Sequence, residues 1–204
     1  MHTNVTILFF LIVVVGYSQS ARQLSNSEVK ARIAQIQTNQ NPQATIAPLR
    51  QLLDQLGPKE DSSRAVVMLE LGSNYGRIYN NDSAMFFLAQ AVLLSKSNRW
   101  AVLAGEIYNY SGNVMRNRSD NQKAMQYYDS ALHVLAGGER DRYICEAKVL
   151  GNMGGIHYDL GEFEKALEFA EKATAMIENH GLVYRETSAF YVSRFLQRTA
   201  LRCP

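Results

Sequence analysis

The sequence predicts an all-α fold, an α-solenoid built from antiparallel helix pairs, on three observations. Small residues recur in one register, led by Gly72, Gly112 and Gly154. Turn-forming residues fall between the recurrences. Apolar residues make up 47% of the chain and charged residues 20%, which is ordinary for a chain that buries a core. Self-similarity at a near-constant period marks stacked helical or strand units rather than one irregular domain.

Residues 1–20 stand apart. No Asp, Glu, Lys or Arg precedes Arg22, and residues 7–15 form an unbroken apolar run. Such a run is too short for a ~30 Å hydrocarbon core, which takes about 20 residues. It fits the apolar region of a secretory signal, and Gly16, Ser18 and Ser20 supply small residues for cleavage after Ser18 or Ser20. The expectation is a signal peptide over 1–20, no membrane span, and export to a bacterial periplasm or the exterior.

Residues 25–58 predict a degenerate helix pair, with a first helix over 28–36 and a second between Pro42 and Gly57-Pro58. Ala44 lies one period before Ala84, but no glycine precedes it in register, so this unit reads as an N-terminal cap. Three full units follow, over 62–98, 99–138 and 140–180. Gly72, Gly112 and Gly154 fall in register, followed at one common spacing by Ala84, Ala124 and Ala166, and at a second by Ala91, Ala131 and Ala173. A side chain beyond Cβ would hold two crossing helices apart, so these small residues are expected where helices cross most closely. Large apolar residues should fill the space around them: Met68, Leu71 and Tyr75; Tyr108, Val114 and Met115; Leu150, Met153 and Ile156.

Within the units, Asn80-Asn81-Asp82, Ser119-Asp120 and Gly161 are expected to break one helix from the next. Ser97-Asn98, Gly137-Gly138 and His180-Gly181 are expected to separate the units. Residues 182–202 predict one more helix, with apolar Val183, Phe190, Val192, Phe195 and Leu196 and a basic stripe of Arg194, Arg198 and Arg202. It would serve as an end cap or as the first helix of a further repeat.

The third unit carries Gly154, Tyr158, Gly161, Phe163, Ala166, Leu167 and Ala173, and its Gly-x-Phe-Glu-Lys-Ala-Leu-Glu stretch resembles the tetratricopeptide repeat. The first two units keep the same slots more loosely, with Leu88 and Tyr128 as the large residue between the two alanines. His157 stands where an aromatic is usual. The family's closing proline is absent in all three units, and the period exceeds the family's usual one, which implies longer helix pairs. The resemblance implies a right-handed superhelix of helix pairs that binds a protein or peptide. A signal peptide before repeats of this length is similar to exported bacterial tetratricopeptide proteins. It is similar also to the sensory input regions of repeat-containing histidine kinases and transcription regulators, in which case this chain would be one part of a longer signalling protein.

No catalytic, cofactor-binding or metal-binding set emerges, so an enzyme is not expected. His2, His133, His157 and His180 are scattered, with no metal-type pairing. The glycines of 151–155 lack the preceding strand of a phosphate loop. Cys145 and Cys203 lie far apart in the chain, outside any zinc-type spacing, and read as unpaired thiols. The glycosylation-type triplets at Asn81, Asn109 and Asn117 are short enough to arise by chance. A net charge of +2 gives no electrostatic ground for a nucleic-acid partner.

Function must therefore come from a surface. The first helices of the units should line the inner face of the superhelix. Stepping three or four positions from the packed glycines selects Leu69, Ser73 and Arg77; Asn109, Asn113 and Arg116; Lys148, Asn152 and Tyr158. Asparagines and basic groups there resemble in part the clamp that some tetratricopeptide proteins close on a peptide carboxylate, although Leu69 and Gly151 occupy places where a lysine would be wanted. The expected ligand is an extended or helical peptide segment.

Overall fold

The computed structural model describes residues 24–97, 100–136 and 142–181. They form eight helices and no strand: α1 (Asn26–Gln37), α2 (Pro42–Gln55), α3 (Asp61–Arg77), α4 (Asn81–Ser97), α5 (Ala101–Asn117), α6 (Asn121–Leu135), α7 (Arg142–Asp159) and α8 (Phe163–Asn179). The expected signal peptide, the turns at Asn98 and Gly137-Gly138, the last helix over 182–202 and Cys203 lie outside the described residues.

Local chemistry sets the helix ends. The Ser25 hydroxyl accepts from the Glu28 amide, and the Glu28 carboxylate accepts from the Ser25 amide, which closes a capping box on α1. Asn41 caps α2 through the Gln43 amide, with Pro42 at the first helical position where a missing N–H does no harm. Within the three full units, one turn is used three times. The amides of Asn80, Asp120 and Glu162 donate to the carbonyls of Tyr75, Met115 and His157 at 2.9, 3.0 and 2.9 Å. The residue before each is left-handed: Tyr79 at φ 59°, Ser119 at 61° and Gly161 at 77°. This αL ending satisfies the last carbonyls of the first helix. The first break therefore falls at 78–80 rather than across Asn80-Asn81-Asp82. Asn81 and Asp82 belong to the first turn of α4, where the Asp82 carboxylate suits the positive end of the helix dipole.

Each unit packs its two helices against each other, and the stack grows in one direction. α1, α3, α5 and α7 touch in sequence, while among the described residues α2, α4, α6 and α8 do not touch one another. The first helices thus form a continuous inner layer, and the second helices are spaced out on the far side.

The small-residue register explains the close crossings. A Cβ on Gly72 would lie 2.5 Å from Leu88 Cγ, and one on Gly112 would lie 2.6 Å from Tyr128 Cδ1. On Gly154 it would meet Phe169 Cβ at 3.1 Å and the Ala166 carbonyl at 3.2 Å. All six register alanines are fully buried, and Leu88 and Tyr128 are fully buried beside them. The large apolar residues expected around them are buried as well, apart from Tyr108 and Leu150, which pack against the core from its edge.

Two details differ from expectation. Ala44 is exposed, and Thr45 is buried in its stead together with Leu49 and Leu52, so the leading unit slips by one position against the others. A fourth small register at Ala65, Gly105 and Ala147 is also buried, and a Cβ on Gly105 would sit 2.6 Å from Leu135 Cγ.

Candidate functional site

The inner layer exposes one stripe per helix at i, i+4, i+7 and i+11, as helical periodicity requires of a face turned to solvent. On α3 this stripe is Val66, Glu70, Ser73 and Arg77; on α5 it is Glu106, Tyr110, Asn113 and Asn117. On α7 it runs through Lys148, Asn152 and Asp159.

Ser73, Arg77, Asn113, Lys148 and Asn152 fall on this face as expected. Leu69 and Asn109 do not: each is buried, at 5% exposure, one position round the helix from the solvent stripe. Tyr158 misses it too, lying edge-on to the Phe163 ring at 5.5 Å, while its neighbour Asp159 faces the stripe. The misplacement is physical. A step of three from a packed glycine stays on the packed flank, where Leu69 joins the core.

Several of the chosen residues also bind their own neighbours. Arg116 donates through Nε to Asp159 at 2.9 Å and through its terminal nitrogen to the Gly155 carbonyl at 3.3 Å, so it ties α5 to α7. The Asn152 amide donates to the Asn109 side-chain oxygen at 2.8 Å, across the same pair. Asn113 accepts from the hydroxyl of buried Tyr128 at 2.7 Å. From Asn117, an amide donates back to the Gly76 carbonyl on α3 at 3.1 Å. Much of the polar set thus joins one helix of the stack to another.

What remains is a recess over α1, α3 and α5. Two adjoining cavities, of about 550 and 230 Å³, share Ser73, Arg77 and Tyr110. Gln37 at the end of α1 and Asn39 and Gln40 from the α1–α2 turn close one end, and Tyr79 and Asn117 border the other. Behind it lies a group of charges that no sequence signal announces. Burial pushes the Glu70 carboxyl above its ordinary range, against a 2.6 Å hydrogen bond from the Gln37 amide, with Glu106 adding to the rise. Burial likewise raises Glu106, which has Lys148 at 4.0 Å as its counter-ion. The Tyr110 hydroxyl is held up by burial too, and it hydrogen-bonds Ser73. The recess is therefore backed by polar groups short of solvent, and Glu70, which lines it, and Glu106, which interacts with Glu70, each hold their charge at a penalty.

No reactive centre adjoins it among the described residues. Cys145 is a buried free thiol, pushed up to about 12 by burial, and so carries little thiolate at neutral pH. Among the described residues no group of His, Cys, Asp and Glu is placed to hold a metal ion, and no helix is long and apolar enough to cross a membrane.

These paired helices, repeated turns and packed glycines can be set beside known proteins. Residues 103–179 match the tetratricopeptide repeat family. Tetratricopeptide repeats are modules of protein–protein interaction, and the matched stretch takes in α6, α7 and α8 and nearly all of α5. The crystal structure of BtubC (BKLC) from P. vanneervenii is similar over 85% of this chain and 72% of that one, with a TM-score of 0.63. At 18% identity this likeness shows the fold, a helical-repeat solenoid. In this helical stack the recess at Ser73, Arg77 and Tyr110 sits on the first-helix face.

Proposed function

We propose that the chain is a protein-interaction module acting outside the cytoplasm, and that its inner face takes an extended or helical peptide segment of a partner. The recess shared by Ser73, Arg77 and Tyr110 carries this reading. It is concave, lined by side chains able to donate and accept hydrogen bonds, and built on packed helices that hold it in shape. Sites of this kind bind with little reorganisation, which favours affinity. Laying a peptide across successive first helices would use the repeat geometry itself.

A carboxylate clamp is the weaker version. Two inner-face cations are engaged, Arg116 with Asp159 and Lys148 near Glu106, and the Glu70 carboxylate lines the recess. A ligand offering amides and hydroxyls, or one positive group, fits better than a C-terminal carboxylate.

The direct test is capture of a partner by the immobilised chain and by Arg77→Glu. Arg77 is exposed, so the substitution should weaken capture while leaving the melting temperature unchanged. Equal capture by both would place the site elsewhere. Export rests on residues 1–20 and has its own test: sequencing of the mature N-terminus should read from position 19 or 21. A chain recovered with Met1 in the cytoplasmic fraction would rule it out.

A further inference from the structure

The solvent face of the first helices carries a second recess. At its other end, where α1, α3 and α5 begin, two adjoining cavities of about 520 and 210 Å³ share Asn26, Ser62 and Trp100. Val29, Val66 and Leu103 give the smaller one an apolar wall. Trp100 is the only tryptophan of the chain and is partly buried. It occupies the N-cap of α5 and makes no capping hydrogen bond there. Ser, Thr, Asp or Asn would stabilise that helix end better, so helix chemistry does not account for the residue. What it supplies is a lining group common to both cavities. Spacing relates this end to the other. Val66 and Ser73 on α3 stand at i and i+7, and so do Leu103 and Tyr110 on α5, which sets the two recesses about 10 Å apart along the helices. Between them come Glu70 and Glu106, each within about one turn of both ends. Glu106 adds to the rise of the Glu70 carboxyl, so the two charges act on each other, and Lys148, 4.0 Å from Glu106, sets one positive charge against the pair. Arg77, at i+7 from Glu70, belongs to the far recess. The middle of the face is left net negative.

Resting on the inner-face reading, we propose that the ligand is a basic helical segment of the partner laid along α3 and α5. An apolar side chain at i enters the Trp100 recess. A Lys or Arg at i+3 or i+4 lies over Glu70 and Glu106, and a hydroxyl- or amide-bearing side chain at i+7 enters the recess of Ser73, Arg77 and Tyr110. Period selects the form. A helix rises as α3 and α5 do, so its side chains at i, i+3 or i+4, and i+7 meet three places that are themselves spaced by helical turns. An extended chain puts side chains of one face at about 6.6 and 13 Å, and so overshoots the second recess by about 3 Å. Charge selects the middle residue. Two carboxylates against one ammonium leave a place for one more cation, and attraction at a partly desolvated site exceeds that in open water. The apolar wall at Val29, Val66 and Leu103 selects the first anchor.

Selection of displayed peptides on the immobilised chain tests it. The probes are tryptophan-free peptides of about 15 residues, randomised on an alanine-rich background and long enough to hold a helix. Enriched sequences should carry an apolar residue, a basic one and a hydroxyl or amide at i, i+3 or i+4, and i+7. Binding of an enriched peptide should shift the emission of Trp100 to the blue, since the ligand covers a partly exposed ring. Trp100→Ala, and separately Glu70→Gln combined with Glu106→Gln, should each weaken binding about tenfold, with far-UV circular dichroism of the chain unchanged. If Trp100→Ala misfolds, Leu103→Gln in the same recess replaces it. Arg77→Glu separates the two readings. Peptides weakened by Arg77→Glu but indifferent to the Trp100 and paired glutamine variants would keep the inner face and overturn the basic helix. Enrichment of an acidic middle residue, or of an alternating i, i+2, i+4 pattern, would overturn it as well. Peptides indifferent to all these variants, or no enrichment at all, would overturn both.

Discussion

At the scale of single residues, three glycines in one register do different amounts of steric work. Replacing a mid-helix glycine by alanine gains about 1 kcal/mol of helix propensity, so the sign of each substitution depends on what the new Cβ meets. At Gly112 it meets the ring of fully buried Tyr128 at 2.6 Å and less, and overpacking of this kind typically costs about 1–3 kcal/mol. Gly112→Ala should therefore lower stability in urea denaturation. At Gly154 the contacts are 3.1 and 3.2 Å, a misfit of a few tenths of an ångström, and Gly154→Ala should be close to neutral. Gly154→Leu, which adds an isopropyl group beyond that Cβ, should destabilise. The left-handed turns give a second contrast. Ser119 adopts φ 61°, where an L-residue is strained by about 1–2 kcal/mol, whereas Gly161 fills the same place without strain. Ser119→Gly should raise the melting temperature by a few degrees, since part of that relief is returned as chain entropy. An unchanged or lower melting temperature would mean that the turn geometry is wrong.

At the scale of elements, the polar residues of the first helices divide into those that serve the stack and those that serve the groove. Asn113 belongs to the stack. Asn113→Ala leaves the Tyr128 hydroxyl buried without a partner, which costs about 1–3 kcal/mol, and adding Tyr128→Phe should recover much of the loss. A double variant no better than the single would contradict the pairing. The Glu70 and Glu106 carboxylates make a pH prediction. Burial raises Glu70 and Glu106 in the folded state, so the unfolded chain ionises first as pH rises, and the stability they contribute is full below the ordinary carboxylate range and lost above their folded values. Glu70→Gln, which keeps an acceptor for Gln37, should therefore stabilise at neutral pH and make no difference in acid, where both carboxyls are protonated. An effect of the same size in both conditions would mean that charge is not its cause.

Much of this element-level pattern is legible in the sequence, and the exceptions have physical reasons. The packed register at Gly72, Gly112 and Gly154 can be read because close helix crossing tolerates only small residues, a constraint that recurs in each unit. The register of α2 slips by one because Thr45, not Ala44, fills the small slot there, and threonine is not conspicuous as a packing residue. On the inner face, stepping from the glycines puts Leu69, Asn109 and Tyr158 one position off. A single-residue error turns a side chain about 100° round a helix, from groove to core, and the glycines fix only the packed flank. Glu70, Glu106 and Tyr110 carry no signal of their own because acidic and aromatic residues are ordinary on any helix surface. Their partners, Gln37, Lys148 and Ser73 respectively, each come from a helix other than the one that carries the residue they pair with, and only the stacking brings the pairs together.

At the scale of the whole molecule, α1, α3, α5 and α7 make one continuous inner layer joined by Asn152 to Asn109, Arg116 to Asp159 and Asn117 to Gly76. Partly exposed ion pairs such as Arg116 with Asp159 stabilise little by themselves, and the apolar core carries the stack. What the polar ties fix is the relation of one unit to the next, and so the shape of the recess that spans them. The central functional claim is that a partner peptide lies on this inner layer and not on the outer helices. A photo-crosslinking phenylalanine analogue placed at position 110, with a second at position 126 on the outer face of α6, tests it most directly in cells that express the chain. Position 110 should give a covalent adduct with another protein, and position 126 should give none. Adducts from position 126 with none from position 110 would contradict it.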